Sequence, residues 1–179
     1  GLAYLKGHPR LRHLEILSTK VTPDGLTVLE SLPNLQDLEI NFQEGADTAL
    51  LHVGKCKSLV SLSFRGSDLS PAGMACLKDL SHLEELEISY SSRLTSDGLT
   101  VLKNFPRLTR LVLTDCPADE ASIDSILHLK NLASLSLGPN NSTDASIKKL
   151  QALRKLRLLA LQGNRITEEG LRLLPPALK

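Results

Sequence analysis

Polar and apolar positions alternate in short bursts along this chain, and the bursts return on a fixed beat. Apolar residues fill the first, fourth and sixth places at Leu11/Leu14/Ile16, Leu35/Leu38/Ile40, Leu59/Leu62/Phe64, Leu83/Leu86/Ile88, Leu108/Leu111/Leu113, Leu132/Leu135/Leu137 and Leu156/Leu159/Leu161. The first leucines are spaced 24, 24, 24, 25, 24 and 24 residues apart. Within each burst, as in Leu35-Gln-Asp-Leu38-Glu-Ile40, inward apolar and outward polar side chains alternate, which predicts a short strand. Three residues past it stands a small polar or thiol residue in most copies: Thr19, Gln43 (the outlier), Ser67, Ser91, Cys116, Asn140 and Asn164. A compact hydrogen-bonding side chain there can satisfy backbone groups that the bend would orphan.

A helix start follows. Thr22-Pro23-Asp24-Gly25-Leu26 combines an N-cap hydroxyl, Pro in the first turn and an acid near the positive helix end. Ser70-Pro71-Ala72-Gly73-Met74, Thr95-Ser96-Asp97-Gly98-Leu99, Thr143-Asp144-Ala145-Ser146-Ile147 and Thr167-Glu168-Glu169-Gly170-Leu171 repeat it, with Asp119-Glu120-Ala121-Ser122-Ile123 in the fifth copy. The second copy has Ala46 at the cap and is the weakest signal. Apolar residues every third place, as in Leu26/Leu29/Leu32, Leu99/Leu102/Phe105 and Ile147/Leu150/Leu153, lay one stripe of each helix on the strands.

A period of this length is the mark of a solenoid, one strand–helix unit per turn. The predicted fold is therefore an α/β right-handed solenoid of about seven repeats. Helices are wider than the roughly 4.8 Å between strands, so the parallel sheet takes the concave face and the helices the convex one. The single extra residue, near Ser91-Ser92-Arg93, is expected as a local bulge between strand and helix. The chain reads as one array over residues 1–179. It opens on Gly1-Leu2-Ala3-Tyr4-Leu5, like Gly25-Leu26-Thr27-Val28-Leu29, and closes on Leu174-Pro175-Pro176-Ala177-Leu178, like the lead-in to another strand. Both ends lack a polar capping repeat, which leads us to expect a segment of a longer repeat protein.

The clearest copy, Leu156, Leu159, Leu161, Asn164, Ile166, Thr167, Gly170, Leu171 and Leu174, resembles the leucine-rich repeat family. The long-helix form with Gly-Leu or Gly-Met at the helix start is similar to its cysteine-containing and ribonuclease-inhibitor-like subclasses. The resemblance covers essentially the whole chain and implies a horseshoe that binds a protein or peptide on its strand face. It also implies, as an alternative, the substrate-recognition arm of an F-box-type ubiquitin ligase, or a structural spacer or regulatory arm of a larger protein. The cysteine-containing subclass carries Cys at most turn positions; here only Cys116 does, and no F-box lies within these residues.

Composition narrows the partner. Net charge is +1, so no long-range field favours nucleic acid or an anionic membrane. No apolar run approaches the roughly 18–20 residues that span a bilayer. Cys56, Cys76 and Cys116 form no CxxC pair and are read as buried reduced thiols, which predicts a reducing, cytoplasmic setting over the secreted one hinted at by Asn140-Asn141-Ser142-Thr143. His8, His13, His52, His82 and His128 are scattered, and only His13 is expected on the concave side. No phosphate loop, metal-ligand spacing or enclosed acid–base pair is present, so no cofactor and no catalysis are expected.

The candidate partner-binding residues are the outward strand positions: His13, Glu15, Asp37, Glu39, Arg65, Glu85, Glu87 and Arg110. Phe42 and Tyr90, two places past the strand core in a chain with 3% aromatics, are the expected anchors. The first four repeats are acidic (Glu84 adds to them), while the last three offer Val112, Ser134, Ser136, Leu158 and Ala160. Stacked like charges cost a few tenths of a kcal/mol per pair, so the patch invites a basic segment of a protein or peptide. Arg12, Arg65 and Arg110 are placed to neutralise part of it.

Overall fold

The computed structural model describes residues 1–117, 119–139, 142–174 and 178. Each apolar burst is a strand: β1 His13–Ile16, β2 Asp37–Phe42, β3 Ser61–Gly66, β4 Glu85–Ser89, β5 Arg110–Thr114, β6 Ser134–Leu137 and β7 Leu158–Ala160. They form one parallel sheet in sequence order, and like positions sit side by side: Leu38 beside Leu62, Leu62 beside Leu86, Leu86 beside Leu111. The second leucine and the third apolar residue of every central copy are buried, and so are the first leucines from Leu35 onward. Each such layer covers the next, so the core is a continuous column of Leu and Ile with Phe64 and Phe105 as its largest members.

The other side of each turn carries α1 Ala46–Val53, α2 Pro71–Ala75, α3 Ser96–Leu99, α4 Glu120–Ile126, α5 Asp144–Leu150 and α6 Glu168–Arg172. These α-helices are short, and 3-10 segments at Leu2–Leu5, Pro23–Ser31 and Thr100–Asn104 share the convex face with them. Regular α-helix throughout was expected. The spacing of three does not decide between the two helix types: Leu26/Leu29 lie on a 3-10 segment, while Ile147/Leu150 lie on α5.

Helix capping follows the expectation at Ser70, Asp119 and Thr167, whose side chains accept from the Ala72, Ser122 and Gly170 amides, and departs from it in the first two copies. The uncapped second copy forms the longest α-helix, α1, while Thr22-Pro23 opens a 3-10 segment whose Thr22 side chain caps nothing. At α1 the acceptor comes from the next repeat: Asp68 takes hydrogen bonds from the Gly45 and Ala46 amides at 2.8 and 3.0 Å, with Gly45 left-handed at φ 76°. A cap borrowed across the repeat replaces the local side chain.

The extra residue lies between strand and helix, as expected. From Ser61 to Pro71 is ten positions and from Glu85 to Ser96 eleven, while the ladder Glu85 to Arg110 through Ser89 to Thr114 runs unbroken. The turn-position expectation holds in part. The side chains of Ser91, Cys116 and Asn164 reach carbonyls inside the bend, and the exposed Ser67 and Thr19 still bond the Gln43 carbonyl and the Val21 amide, whereas Gln43 is exposed; Asn140 lies outside the described residues, as do Asn141 and residues 175–177 of the closing segment. Cys56 and Cys116 are buried and Cys76 half-buried, and none of the three forms a disulfide. Burial pushes the Cys56 thiol up to about 12 and Cys116 up to about 11. Among the described residues no helix is long and apolar enough to cross a membrane, and no group of His, Cys, Asp or Glu is arranged to hold a metal.

Candidate partner-binding face

Because strand side chains alternate, the parallel register lines outward residues into rows. One row runs His13, Asp37, Ser61, Glu85, Arg110, Ser134, Leu158; the next runs Glu15, Glu39, Ser63, Glu87, Val112, Ser136, Ala160. The two small residues of β3, Ser61 and Ser63, thus lie between acids on either side, and β3 becomes the floor of a trough walled by Asp37/Glu39 and Glu85/Glu87.

One end of the trough is already filled. The Arg65 guanidinium lies 3.5 Å from Glu39 and 3.9 Å from Glu87, spanning both walls past Ser63. Its side chain is 44% exposed and theirs 27% and 28%, so the pair energy is that of a surface bridge, under about 1 kcal/mol. The other end differs. Asp37 and Glu85 flank Ser61 in the same way, yet neither has an ion-pair partner among the described residues. Arg110 stands beside Glu85 in register and is exposed without pairing to it. Arg12 does not serve the patch either; it donates to Gln36 Oε1 at 3.4 Å. His13 and Glu15 pair with each other at 3.1 Å on exposed β1.

The two aromatic anchors part company. Tyr90 is 58% exposed one residue beyond β4, in left-handed backbone at φ 59°. Phe42 is only 8% exposed and belongs to the core, so its expected place on the open face is corrected. The reason is the length of β2: the strand stays extended through Phe42, and alternation turns that side chain inward beside Gly66.

Sequence reasoning missed a second set of polar residues, on the convex side. Asp47 accepts from the Ser70 amide and hydroxyl at 2.9 and 2.5 Å, and Asp144 from those of Thr167 at 2.9 and 2.6 Å. Glu120 accepts from Thr143 and Ser146 hydroxyls at 2.8 and 2.7 Å. His52, buried in α1, meets Glu30 at 3.0 Å, and Lys55 shares that carboxylate at 2.8 Å. The hydrogen bonds of Lys55 and His52 hold the Glu30 carboxyl below its usual range, and those of Thr167 do the same for Asp144. The signal in the sequence was an acid followed 23 residues later by Ser or Thr.

Comparison with known proteins agrees with this architecture. Residues 74–159 match a family described as Zer-1-like, Leucine-rich repeats, and residues 152–174 match a Leucine Rich repeat model. No curated protein matches the chain. Among solved structures, an internalin (inlF) from Listeria monocytogenes aligns over 100% of this chain and 55% of its own, at TM-score 0.69 and 21% identity. The TLR13 chain of a TLR13–ssRNA13 complex aligns over 89% of this chain and 23% of its own, at TM-score 0.65 and 23% identity. The chain thus spans about half of the internalin and about a quarter of the TLR13 chain, and at these identities the likeness is one of fold. Seven stacked Leu-x-x-Leu-x-apolar strands, two repeat-family matches and this shared architecture make the chain a leucine-rich repeat protein.

Proposed function

We propose that the chain is a non-catalytic protein-interaction module whose strand face binds a protein or peptide through a basic segment. The observation that carries this reading is the trough over β3. Its Glu39–Ser63–Glu87 position holds a guanidinium from the chain itself, and the Asp37–Ser61–Glu85 position beside it has matching walls and no cation. A lysine or arginine of the partner fits there as Arg65 fits next door. Acid walls repel a phosphate backbone, so a protein partner is favoured over nucleic acid, in contrast to the RNA complex named for TLR13. Cysteines that form no disulfide suit a reducing compartment such as the cytoplasm.

The test uses a labelled peptide of alternating Arg, Gly and Ser, followed by fluorescence anisotropy. Asp37→Lys with Glu85→Lys removes two acids that bond to nothing, so the fold is retained. Binding is expected to weaken at least about tenfold, and added salt to weaken the wild-type complex. Equal affinity of wild type and double variant would overturn the reading.

A further inference from the structure

Beyond the C-terminal end of the trough, where Arg65 closes it, lies a hollow of about 330 Å³. Arg65 forms one wall, Tyr90 another, and Asn41, Phe42, Gln43 and Ser67 complete it. Gly66 gives its backbone to the lining, and a side chain there would point inward against Phe64. We infer that this hollow takes an apolar ring, Phe, Tyr or Pro, from the same partner segment whose basic residue enters the trough. The inference rests on the proposed function above and extends it from a charge preference to a two-point motif.

Three observations carry the assignment. First, Tyr90 presents a mostly exposed ring whose hydroxyl bonds to nothing among the described residues, in a chain where aromatics are 3% of residues. Its left-handed φ of 59° is a conformation that L-residues adopt at a cost, and it turns the chain out of the strand where Phe42, at the matching place, stays in. Second, the polar lining can hold a peptide backbone: Asn41 Oδ1 accepts from the Ser18 amide and Ser67 donates to the Gln43 carbonyl at 2.6 Å, so both side chains are oriented while the Asn41 and Gln43 amide groups keep donors to offer. Third, hollow and trough share Arg65, so one extended segment can touch both. From Ser61 to Gly66 is five residues of β3, roughly 16 Å at about 3.3 Å per residue, so ring and cation fall four to five residues apart in an extended partner. Charge complementarity with Asp37 and Glu85 places the basic residue of the segment over Ser61 and leaves its ring for the hollow beside Gly66.

Two peptides test this on the intact chain: Arg-Gly-Ser-Gly-Phe, and the same sequence with Ala for Phe. The Phe peptide is expected to bind wild type about fivefold tighter, the usual worth of an aromatic pair. In Tyr90→Gly that gain should vanish; glycine suits the left-handed backbone, so the variant keeps the fold, and circular dichroism checks it. Chemical shifts of the Gln43, Ser67 and Tyr90 amides should respond to the Phe peptide and not to the Ala peptide. No gain in wild type, or a gain that persists in Tyr90→Gly, overturns the inference. A third peptide with Ser for Arg separates the two claims. If the Ser peptide binds as well as the Arg peptide, the acidic-trough reading fails and this inference fails with it. If Arg matters while the ring does not, the ring site alone fails.

Discussion

On the helix side Asp47, Glu120 and Asp144 each accept hydrogen bonds from hydroxyls or amides one repeat further on, whereas on the strand side Asp37 and Glu85 accept none among the described residues. Both sets lie on the same scaffold a short distance apart. Convex acids act as rivets: a helix start leaves amides without intrahelical partners, and a carboxylate from the previous turn supplies the missing acceptor. On the concave side Asp37 and Glu85 flank Ser61 at a small electrostatic cost and return no side-chain bond to the fold among the described residues. Acids that stabilise are therefore separated in space from acids that are free to recognise.

The glycines at the helix starts sharpen that contrast. A Cβ added at Gly73 would meet the Asp47 carboxylate, and one at Gly170 the Asp144 carboxylate. The largest expected effect follows from this packing. Asp47→Ala should cost about 1–2 kcal/mol, since the Ser70 amide and hydroxyl both lose their acceptor. Gly73→Ala should also destabilise, by about 1 kcal/mol, although alanine is the better helix former. In the Asp47→Ala background the cost of Gly73→Ala should shrink, because the carboxylate is gone and only the buried Leu69 Cδ1 methyl, which the new Cβ would also meet, has to shift. Urea unfolding of the four proteins reads the cycle; strict additivity would show that the rivet is not what excludes the methyl group.

A slower version of the same loss comes with acid. The Asp144 carboxyl sits below its ordinary value of 3.8 and that of Glu30 below 4.5. A depressed folded value means the unfolded chain binds the proton first, so the contribution is whole above those ordinary values and fades as pH falls through the lower folded ones. Asp144→Asn should therefore flatten the decline in unfolding midpoint below about pH 4.5, relative to wild type.

How far these features were legible depends on the period over which the physics acts. Strands, register and core were plain, because each leucine packs on its own copy 24 or 25 residues away and the same choice recurs seven times. The rivets were harder to see, since they join unlike residues 23 apart and occur only where Ser or Thr follows an acid at that interval. The acidic wall was read correctly as a row, but its division into a filled and an unfilled position needed the reach of the Arg65 side chain. Phe42 and Tyr90 occupy the same place in the repeat, and composition alone made both anchors. What separates them is one backbone torsion: β2 continues and buries Phe42, while β4 stops and turns Tyr90 outward. Tyr90→Gly should relieve that torsion and raise stability by about 0.5 kcal/mol, net of glycine's own entropy cost, as read from the thermal midpoint.

The smallest effect bears most directly on the comparison. If Asp37 and Glu85 are not part of the folding machinery, neutralising them should be nearly silent. Asp37→Asn with Glu85→Gln is expected to change unfolding free energy by no more than about 0.5 kcal/mol, and toward greater stability, since Asp37 shares β2 with Glu39 and Glu85 shares β4 with Glu87, with only Arg65 between the two walls. Raising salt should shrink the difference, because exposed charges are screened. The same pair of changes should weaken the Arg-containing peptide. A double variant that loses more than about 1 kcal/mol would place these carboxylates with the convex rivets, and the separation of stabilising from recognising acids would no longer hold.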